Sequence, residues 1–260
     1  DVQGGDGSSV ALDDSGHVWT WGFNGLGRLG DGTTEDSSTP TLVPNLEGVV
    51  AISAGGYHVL ALLEDGTIRA WGNNRYGSLG DGTNDNQLSP VTVPGLDTVT
   101  RIWGGKGESS FAQLEEGTVY SWGYNGDGNL CESAYFGGRN TPAELTALSD
   151  IIDIGLGLGH SIFRLSDGKI YGCGYNYFGQ LGNGNNVSQP APVELIGLTL
   201  PTSGDIILDG ARHNTLIYSE EGDFYAIGDN QYGQLGNGTG VDTTTALTIS
   251  ETQPELKNVL

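Results

Sequence analysis

The sequence has no methionine, only two cysteines and few basic residues for its length. Ten lysine and arginine residues stand against 32 aspartate and glutamate residues, which gives a net charge of −22. Such a surface repels nucleic-acid phosphates and anionic lipid headgroups, so we expect no nucleic-acid partner. No apolar run approaches the length of a membrane span, so we expect no membrane insertion. The charge favours cations or a basic partner, and we expect a protein partner or, from the match of the chain ends described below, copies of the chain itself.

Methionine is missing even at position 1, so the sequence is expected to be a processed product or an excised domain. An acidic surface on such a product favours an extracellular or cell-surface location, and the alternative is the cytoplasm of a salt-adapted organism. Cys131 and Cys173 form neither a disulfide framework nor a metal-ligand spacing. Two unpaired, partly buried thiols are favoured over a single bridge.

The motifs of common catalytic sites are also missing. There is no G-x-S-x-G, no H-E-x-x-H and no G-x-x-x-x-G-K-[ST], and we therefore predict no enzymatic activity and no catalytic residues. Residues 25–30 match the dinucleotide pattern G-x-G-x-x-G, but no helix follows them and only Gly27 recurs in every related segment. We expect no cofactor. The Asp-rich segments 31–36 and 81–86 offer oxygen ligands to calcium, although solvated turns are favoured.

Glycine is abundant, with 45 residues spread evenly along the chain. The phrase "WGFNGLGRLGDGT" at position 21 returns in related form at positions 71, 122, 173 and 227. Before each copy lies a second phrase of the type "HVLALLEDGTIRAW", two β-rich runs separated by a tight-turn signal. Each unit of about 50 residues predicts four strands, the size of a propeller blade.

These phrases resemble the repeat of the regulator of chromosome condensation family, most closely over 57–66 and 71–82. The resemblance covers the whole chain and implies an all-β fold, a β-propeller with one repeat per blade and a single domain over residues 1–260. The well-known members have seven blades, whereas five repeats are present. Their chromatin-binding, nucleotide-exchange member meets nucleic acid through basic surfaces, so the opposite charge argues against carrying that activity over.

The two ends of the sequence complete one another. The C-terminal "NVL" written before the N-terminal "DVQGGDGSSVAL" is equal in length to the internal phrase "GVVAISAGGYHVLAL" at 48–62 and aligns with it at valine, glycine and Ala-Leu positions. This match favours five blades with one blade shared between the N- and C-termini, which would remove exposed sheet edges. Two alternatives remain open. A neighbouring chain could complete the open blade, or the sequence could be part of a longer propeller.

Several recurrent residues have structural interpretations. One repeat position holds tryptophan in the first three repeats, at Trp21, Trp71 and Trp122, and cysteine or isoleucine in the last two, which predicts a place in the core. His58, His160 and His213 are aligned at another position, where a structural hydrogen bond is favoured over a metal site. One asparagine recurs in all five units and predicts a loop clamp, at Asn24, Asn74, Asn125, Asn176 and Asn230.

The positions that differ between repeats are the better candidates for binding, because a repeat protein keeps its scaffold constant and varies its loops. Aromatic residues and arginine in loops are favoured interface anchors, with packing between blades as the alternative. The candidate binding residues are Phe23, Leu26, Tyr57, Arg75, Tyr76, Tyr124, Tyr177, Phe178 and Tyr232.

These observations predict a non-enzymatic protein-binding β-propeller, secreted or surface-exposed, that recognises its partner through loops on one face. The alternative is a structural subunit of a surface or filament assembly, joined head-to-tail by completion of the split blade. A hydrolase or lyase that uses a carboxylate pair is less favoured, because with 32 acidic residues carboxylates lie close together by chance.

Overall fold

The computed structural model describes residues 1–134, 137–198, 200–201, 206–219 and 222–249. Their regular structure is all β, with twenty strands in five four-stranded antiparallel sheets. The all-β prediction and the count of four strands per repeat are therefore confirmed. These residues contain no helix with the length and hydropathy that crossing a bilayer requires.

Each sheet is formed by four consecutive strands, and we number the sheets in chain order. Sheet 1 contains β1 (Val2–Gly4), β2 (Ser8–Leu12), β3 (Val18–Gly22) and β4 (Ser37–Leu42). Sheet 2 contains β5 (Val49–Ala54), β6 (His58–Leu63), β7 (Ile68–Gly72) and β8 (Gln87–Thr92). Sheet 3 contains β9 (Val99–Gly104), β10 (Ser109–Leu114), β11 (Val119–Tyr124) and β12 (Gly138–Glu144). Sheet 4 contains β13 (Ile151–Leu156), β14 (His160–Leu165), β15 (Ile170–Gly174) and β16 (Gln189–Glu194). Sheet 5 contains β17 (Ile206–Gly210), β18 (Asn214–Ser219), β19 (Phe224–Gly228) and β20 (Thr243–Thr248).

The second and third strands of sheets 1 to 4 are joined by the predicted tight turn. In sheet 2 the Asp65 carboxylate accepts hydrogen bonds from the backbone N–H of Thr67, at 2.9 Å, and from its hydroxyl, at 2.6 Å. Gly66 has φ +78°, and a Cβ added there would lie 2.9 Å from the backbone nitrogen of Thr98. A side chain at this position would therefore be strained and would also collide with the following sheet.

In sheets 2 to 5 the recurrent tryptophan position lies in the core and contacts the loop of the sheet before it. Trp71 and Trp122 are fully buried, and their indole N–H groups donate to the carbonyls of Arg28 and Ser78, both at 2.9 Å. Cys173 and Ile227, at the same repeat position, are also fully buried. The core prediction is confirmed at these four positions, whereas Trp21 is only half-buried.

The described chain divides into two compact units. Unit 1 comprises Asp1–Asn125 with Phe136–Leu145, and unit 2 comprises Gly126–Tyr135 with Thr146–Leu260. Sheets 1 to 3 belong to unit 1, and sheets 4 and 5 belong to unit 2. The prediction of a single domain stays a prediction.

The first strand of sheet 1 is short. It has three residues, whereas β5, β9 and β13 have six each. The sequence predicts that "NVL" at residues 258–260 completes this strand. Those residues lie outside the described part of the chain, so the shared blade stays a prediction.

Cys131 and Cys173 form a disulfide within unit 2, with their Cα atoms 5.5 Å apart. The expectation of two free thiols is therefore wrong. The reason is that the two cysteines occupy repeat positions that are in contact in the other sheets. Cys131 occupies the position of Gly30 in sheet 1, and Cys173 that of Trp71 in sheet 2. A Cβ on Gly30 would lie 2.8 Å from the Trp71 indole nitrogen, so these two positions touch wherever they occur in successive sheets.

Candidate functional site

The candidate binding residues lie on or beside the long loops that join the third and fourth strands of each sheet. These loops cover residues 23–36, 73–86, 175–188 and 229–242, and each is held by one fully buried asparagine. In sheet 2 the Asn74 side-chain carbonyl accepts from the backbone N–H of Leu79 at 3.0 Å, and its amide donates to Asp81 and to the Thr83 carbonyl. Asn24, Asn176 and Asn230 make the same bonds, which confirms the loop clamp.

In the Asp-rich segments 31–36 and 81–86, the first carboxylate accepts hydrogen bonds from residues of its own loop, including the buried asparagine. Asp31 accepts from the backbone N–H of Thr33 at 2.9 Å, from its hydroxyl at 2.8 Å and from the Asn24 amide at 3.2 Å. Within the described residues, no three His, Cys, Asp or Glu side chains are grouped so as to hold a metal ion. The expectation of no cofactor, with calcium at these segments as the less favoured alternative, stays a prediction.

In unit 1, the loops of sheets 1 and 2 meet around a buried arginine. The Arg28 guanidinium lies 4.8 Å from the ring centroid of Phe23 and 4.8 Å from that of Tyr57. Its side chain is only 5% exposed, and its Nη1 donates to the carbonyl of Asp6. The Asp6 carboxylate, hydrogen-bonded to the Tyr57 hydroxyl, raises the pKa of that group, and burial adds to the shift. The guanidinium is thus stabilised by two aromatic faces.

A second cluster in unit 1 surrounds the loop of sheet 2. The Asn73 amide donates to the Glu108 carboxylate, and its side-chain oxygen accepts from the backbone N–H of Arg75 at 3.1 Å. The Arg75 guanidinium lies 5.2 Å from the Tyr76 centroid, and the Tyr76 ring meets the Tyr124 ring edge-on at 4.9 Å. Burial raises the pKa of Glu108, whereas Arg75 and Asn73 act to lower it.

An open depression of about 540 Å³ lies beside this second cluster. Leu26 lines it together with Asn73 and Arg75, and the tip of the sheet 2 loop, residues 84–86, forms the rest of its wall. The sequence predicted Leu26 and Arg75 as variable loop positions, and the structure brings them to one concave surface.

In unit 2, four aromatic rings form one cluster at the loop ends of sheets 4 and 5. Phe178 lies 4.9 Å from His213 and 5.3 Å from Tyr177, between ring centroids. Tyr175 lies 5.7 Å from His213 and 6.4 Å from Tyr177. Burial lowers the pKa of His213 and the neighbouring Arg212 guanidinium lowers it further, whereas the carboxylates of Asp229 and Asp127 act to raise it. We call Tyr175, Tyr177, Phe178 and His213 the unit 2 aromatic cluster.

His213 does not occupy the position predicted for it. His58 pairs with Gly72 and His160 with Gly174, whereas Asn214 is the residue that pairs with Gly228. His213 therefore stands one residue earlier, in the loop position of Tyr57. The structural interpretation is confirmed for the other two histidines. The Nε2 atom of His58 is 2.9 Å from the Ser110 hydroxyl, and that of His160 is 3.1 Å from the Thr215 hydroxyl.

The structure thus places the predicted binding residues in separate groups. Phe23 and Tyr57 share Arg28, and Tyr76 contacts both Arg75 and Tyr124. Tyr177 and Phe178 belong to the unit 2 aromatic cluster, while Tyr232 is 86% exposed on the loop of sheet 5. That these residues bind a partner stays a prediction. The sequence did not indicate Arg28, Asp6 or Glu108, because their contacts join loops from different repeats.

The family model described as the RCC1-like domain matches residues 1–259. The chain belongs to the RCC1-like domain family. The β-propeller interpretation of the five sheets is confirmed by solved structures of the same fold. Yeast RCC1 (Prp20), crystallised with Kap60, is 24% identical with a TM-score of 0.81, over 94% of this chain and 59% of that chain. Human WBSCR16 is 21% identical with a TM-score of 0.81, over 95% of this chain and 66% of that chain.

Among curated relatives, the Arabidopsis thaliana ultraviolet-B receptor UVR8 is 36% identical to this RCC1-like domain over 245 residues. The match covers 92% of this chain and 54% of UVR8, so the chain spans about half the length of that relative. The human E3 ubiquitin-protein ligase HERC2 is 28% identical over 90% of this chain and 4% of HERC2. Domains of this family are generally non-catalytic, and the HERC ligases owe their activity to other domains.

The expected extracellular or cell-surface location is wrong. Yeast RCC1 (Prp20) and UVR8, both similar to this RCC1-like domain, are intracellular proteins. The location was predicted from negative charge, and negative charge is equally compatible with an intracellular protein that binds proteins. The absence of a nucleic-acid partner stays a prediction.

Proposed function

We propose that this RCC1-like domain is a non-catalytic protein-binding module whose partner docks on the ends of the long loops. The observation that carries the proposal is the combination of a constant frame with variable tips. The buried asparagine clamp fixes the same backbone in four described loops, while the residue two positions after it is Leu26, Tyr76, Phe178 or Tyr232. Repeat proteins vary their binding surface in this way.

Exposure of apolar groups at the loop ends supports the same proposal. Tyr177 is 68% exposed and Tyr232 is 86% exposed, although tyrosine in a soluble protein ordinarily buries most of its ring. Tyrosine and arginine are the residue types most often found as anchors at the centres of interfaces. Prp20 is a protein of the same fold whose binding to Gsp1p and histones has been described, which is consistent with protein recognition by a propeller of this kind.

The test compares a loop-end variant with a matched surface variant. Tyr76→Ala, Tyr177→Ala and Tyr232→Ala are combined in one protein, and Leu42→Ala, Val50→Ala and Ile207→Ala, which are exposed positions on strands, are combined in the control. A partner is first identified by quantitative affinity capture from cells that express the protein, and is then purified for calorimetric titration.

We expect the loop-end variant to bind the purified partner at least tenfold more weakly, because anchor residues each contribute more than about 1 kcal/mol. The strand control should bind like the parent protein, and the circular-dichroism melting curves of all three should agree. Equal affinity of the parent and the loop-end variant would refute the proposal. So would an equal loss of affinity in the strand control.

A further inference from the structure

The long loops of sheets 4 and 5, in unit 2, contain no basic residue, and their acidic residues are confined to loop 229–242, as Asp229 and Asp242. Loops 23–36 and 73–86 contain two arginines and five acidic residues between them, whereas loop 175–188 contains no charged residue. At the tips, Glu35 and Asp85 in unit 1 are replaced by Val187 and Val241 in unit 2, which are 62% and 70% exposed. In a chain of net charge −22, an uncharged loop with exposed apolar side chains is typical of a docking surface.

Unit 1 supplies an internal template for what such a surface can hold. There the rings of Phe23 and Tyr57 enclose the guanidinium of Arg28. In unit 2 the repeat-equivalent rings are Tyr175 and His213, but Gln180 stands where Arg28 stands in unit 1. The rings of this arrangement are thus retained while its arginine is replaced.

The second arginine of unit 1 shows the same replacement. Arg75 lies over the ring of Tyr76, its neighbour in the loop. The equivalent pair in sheet 4 is Tyr177 and Phe178, whose rings meet edge-on at 5.3 Å. Again the ring that received the guanidinium is retained as an aromatic residue, and the arginine becomes an exposed tyrosine.

The unit 2 aromatic cluster has two acidic neighbours and one basic neighbour. Asp127 and Asp229 lie close enough for their charges to act on His213, as does the exposed Arg212, and Asp229 is buried. Carboxylates near aromatic rings strengthen the attraction of the rings for a cation, because both contribute negative potential. The net charge of −22 adds long-range attraction for a basic partner.

We propose that the unit 2 aromatic cluster receives an arginine side chain of a basic protein partner, stacked on Tyr177 and Phe178. This inference rests on the proposed function, since it names the chemistry of the partner that docks on the loop ends. Tyr175 and His213 lie 5.7 Å apart between centroids, so their rings touch where Arg28 stands between rings in unit 1. The partner therefore supplies the guanidinium that Arg75 supplies within unit 1, on the outer face of the cluster. Arginine fits better than lysine, because its planar guanidinium stacks on aromatic rings.

The test uses the whole chain and a defined probe, the peptide acetyl-Gly-Arg-Gly-Arg-Gly-Arg-amide. Its control replaces each arginine with citrulline, which has nearly the same shape and no charge. Binding is measured at physiological salt by NMR titration, following the aromatic ring protons. We expect the arginine peptide to shift the ring signals of Tyr177 and Phe178, and the citrulline peptide to leave them unchanged.

Variants separate stacking from general attraction to a negative protein. Tyr177→Ala should weaken binding of the arginine peptide about three- to thirtyfold, the range for loss of a cation–π contact, and Tyr177→Phe should bind like the parent. Asp229→Asn should also weaken binding. Ile207→Ala, an exposed apolar position on β17 of the same unit, is the matched control and should have no effect.

Equal affinity of Tyr177→Ala and the parent for the arginine peptide would overturn the inference, because binding would then come from overall charge. Equal shifts with the citrulline peptide would overturn it as well. Neither result touches the proposed function, which fails only if the loop-end variant retains affinity for the purified protein partner.

Discussion

The disulfide of unit 2 replaces a glycine–tryptophan contact of the repeat, and this replacement gives a sharp prediction. Cys131 and Cys173 are 42 residues apart in sequence, and closing a loop of this length stabilises the folded state by about 4 kcal/mol. Reduction with dithiothreitol should therefore lower the free energy of unfolding by about this amount. The double variant Cys131→Ser/Cys173→Ser should show a similar loss and no further response to reduction.

The variant Cys131→Gly/Cys173→Trp should recover part of that loss without any cross-link. Cys131 has φ +59°, a left-handed conformation that costs a non-glycine residue about 1–2 kcal/mol and that glycine adopts freely. The indole would fill the contact that Trp71 makes against Gly30 in unit 1, and burying an aromatic side chain contributes about 1.5–3 kcal/mol.

Urea unfolding followed by circular dichroism gives the free energy of unfolding of the oxidised parent, the reduced parent, the double serine variant and the glycine–tryptophan variant. Each protein is measured with and without dithiothreitol. All five tryptophans of the parent lie in unit 1, so the introduced indole also gives unit 2 a fluorescence signal of its own. Unfolding of the parent at the same urea concentration in both redox states would refute the stabilisation assigned to the disulfide. A glycine–tryptophan variant no more stable than the double serine variant would refute the equivalence of the two contacts.

Two further predictions concern buried polar side chains of unit 1. Burial lowers the pKa of His58 from 6.5 to about 4, so the stability it contributes is complete above pH 6.5 and is lost as the pH falls towards 4. Between pH 7 and 4, the stability of the parent in urea titrations should fall by about 3 kcal/mol more than that of His58→Asn. This variant copies Asn214, which stands at the same strand position in sheet 5. The variant His17→Asn, at an exposed position, should behave like the parent. Asn74→Ala should lower the free energy of unfolding by about 2–3 kcal/mol, because it leaves the Leu79 N–H unpaired, whereas Asn84→Ala at the exposed tip of the same loop should have little effect.

The fold could be predicted because the same repeat occurs five times in the sequence. Five aligned copies separate residues that serve every sheet, such as Asn74 and Trp71, from residues that serve only one. The same alignment failed at His213, where matching histidine to histidine hid a shift of one residue. The strand register, with Asn214 opposite Gly228, corrects it.

The candidate site was predictable only in part, because a repeat alignment compares equivalent positions and does not show which different positions touch. Phe23 and Tyr57 were recognised as variable aromatic residues. Arg28, which lies between them, occupies a different position of the repeat and bridges two sheets. The disulfide was not predicted, for the same reason. Its two cysteines replace residues that touch in other sheets, and only the folded contact of Gly30 with Trp71 reveals that.

The asparagine clamp has a consequence for how such a surface changes over time. Every bond of Asn74 ends within residues 74–86, so the clamp is self-contained and does not depend on what the tip residues contact. The backbone frame of each long loop is therefore set by residues of that loop alone. Transplanting the tip residues of 175–188 into 73–86 should move a recognition surface from one unit to the other while the chain keeps its fold, and a duplicated repeat could diverge in specificity through a handful of substitutions.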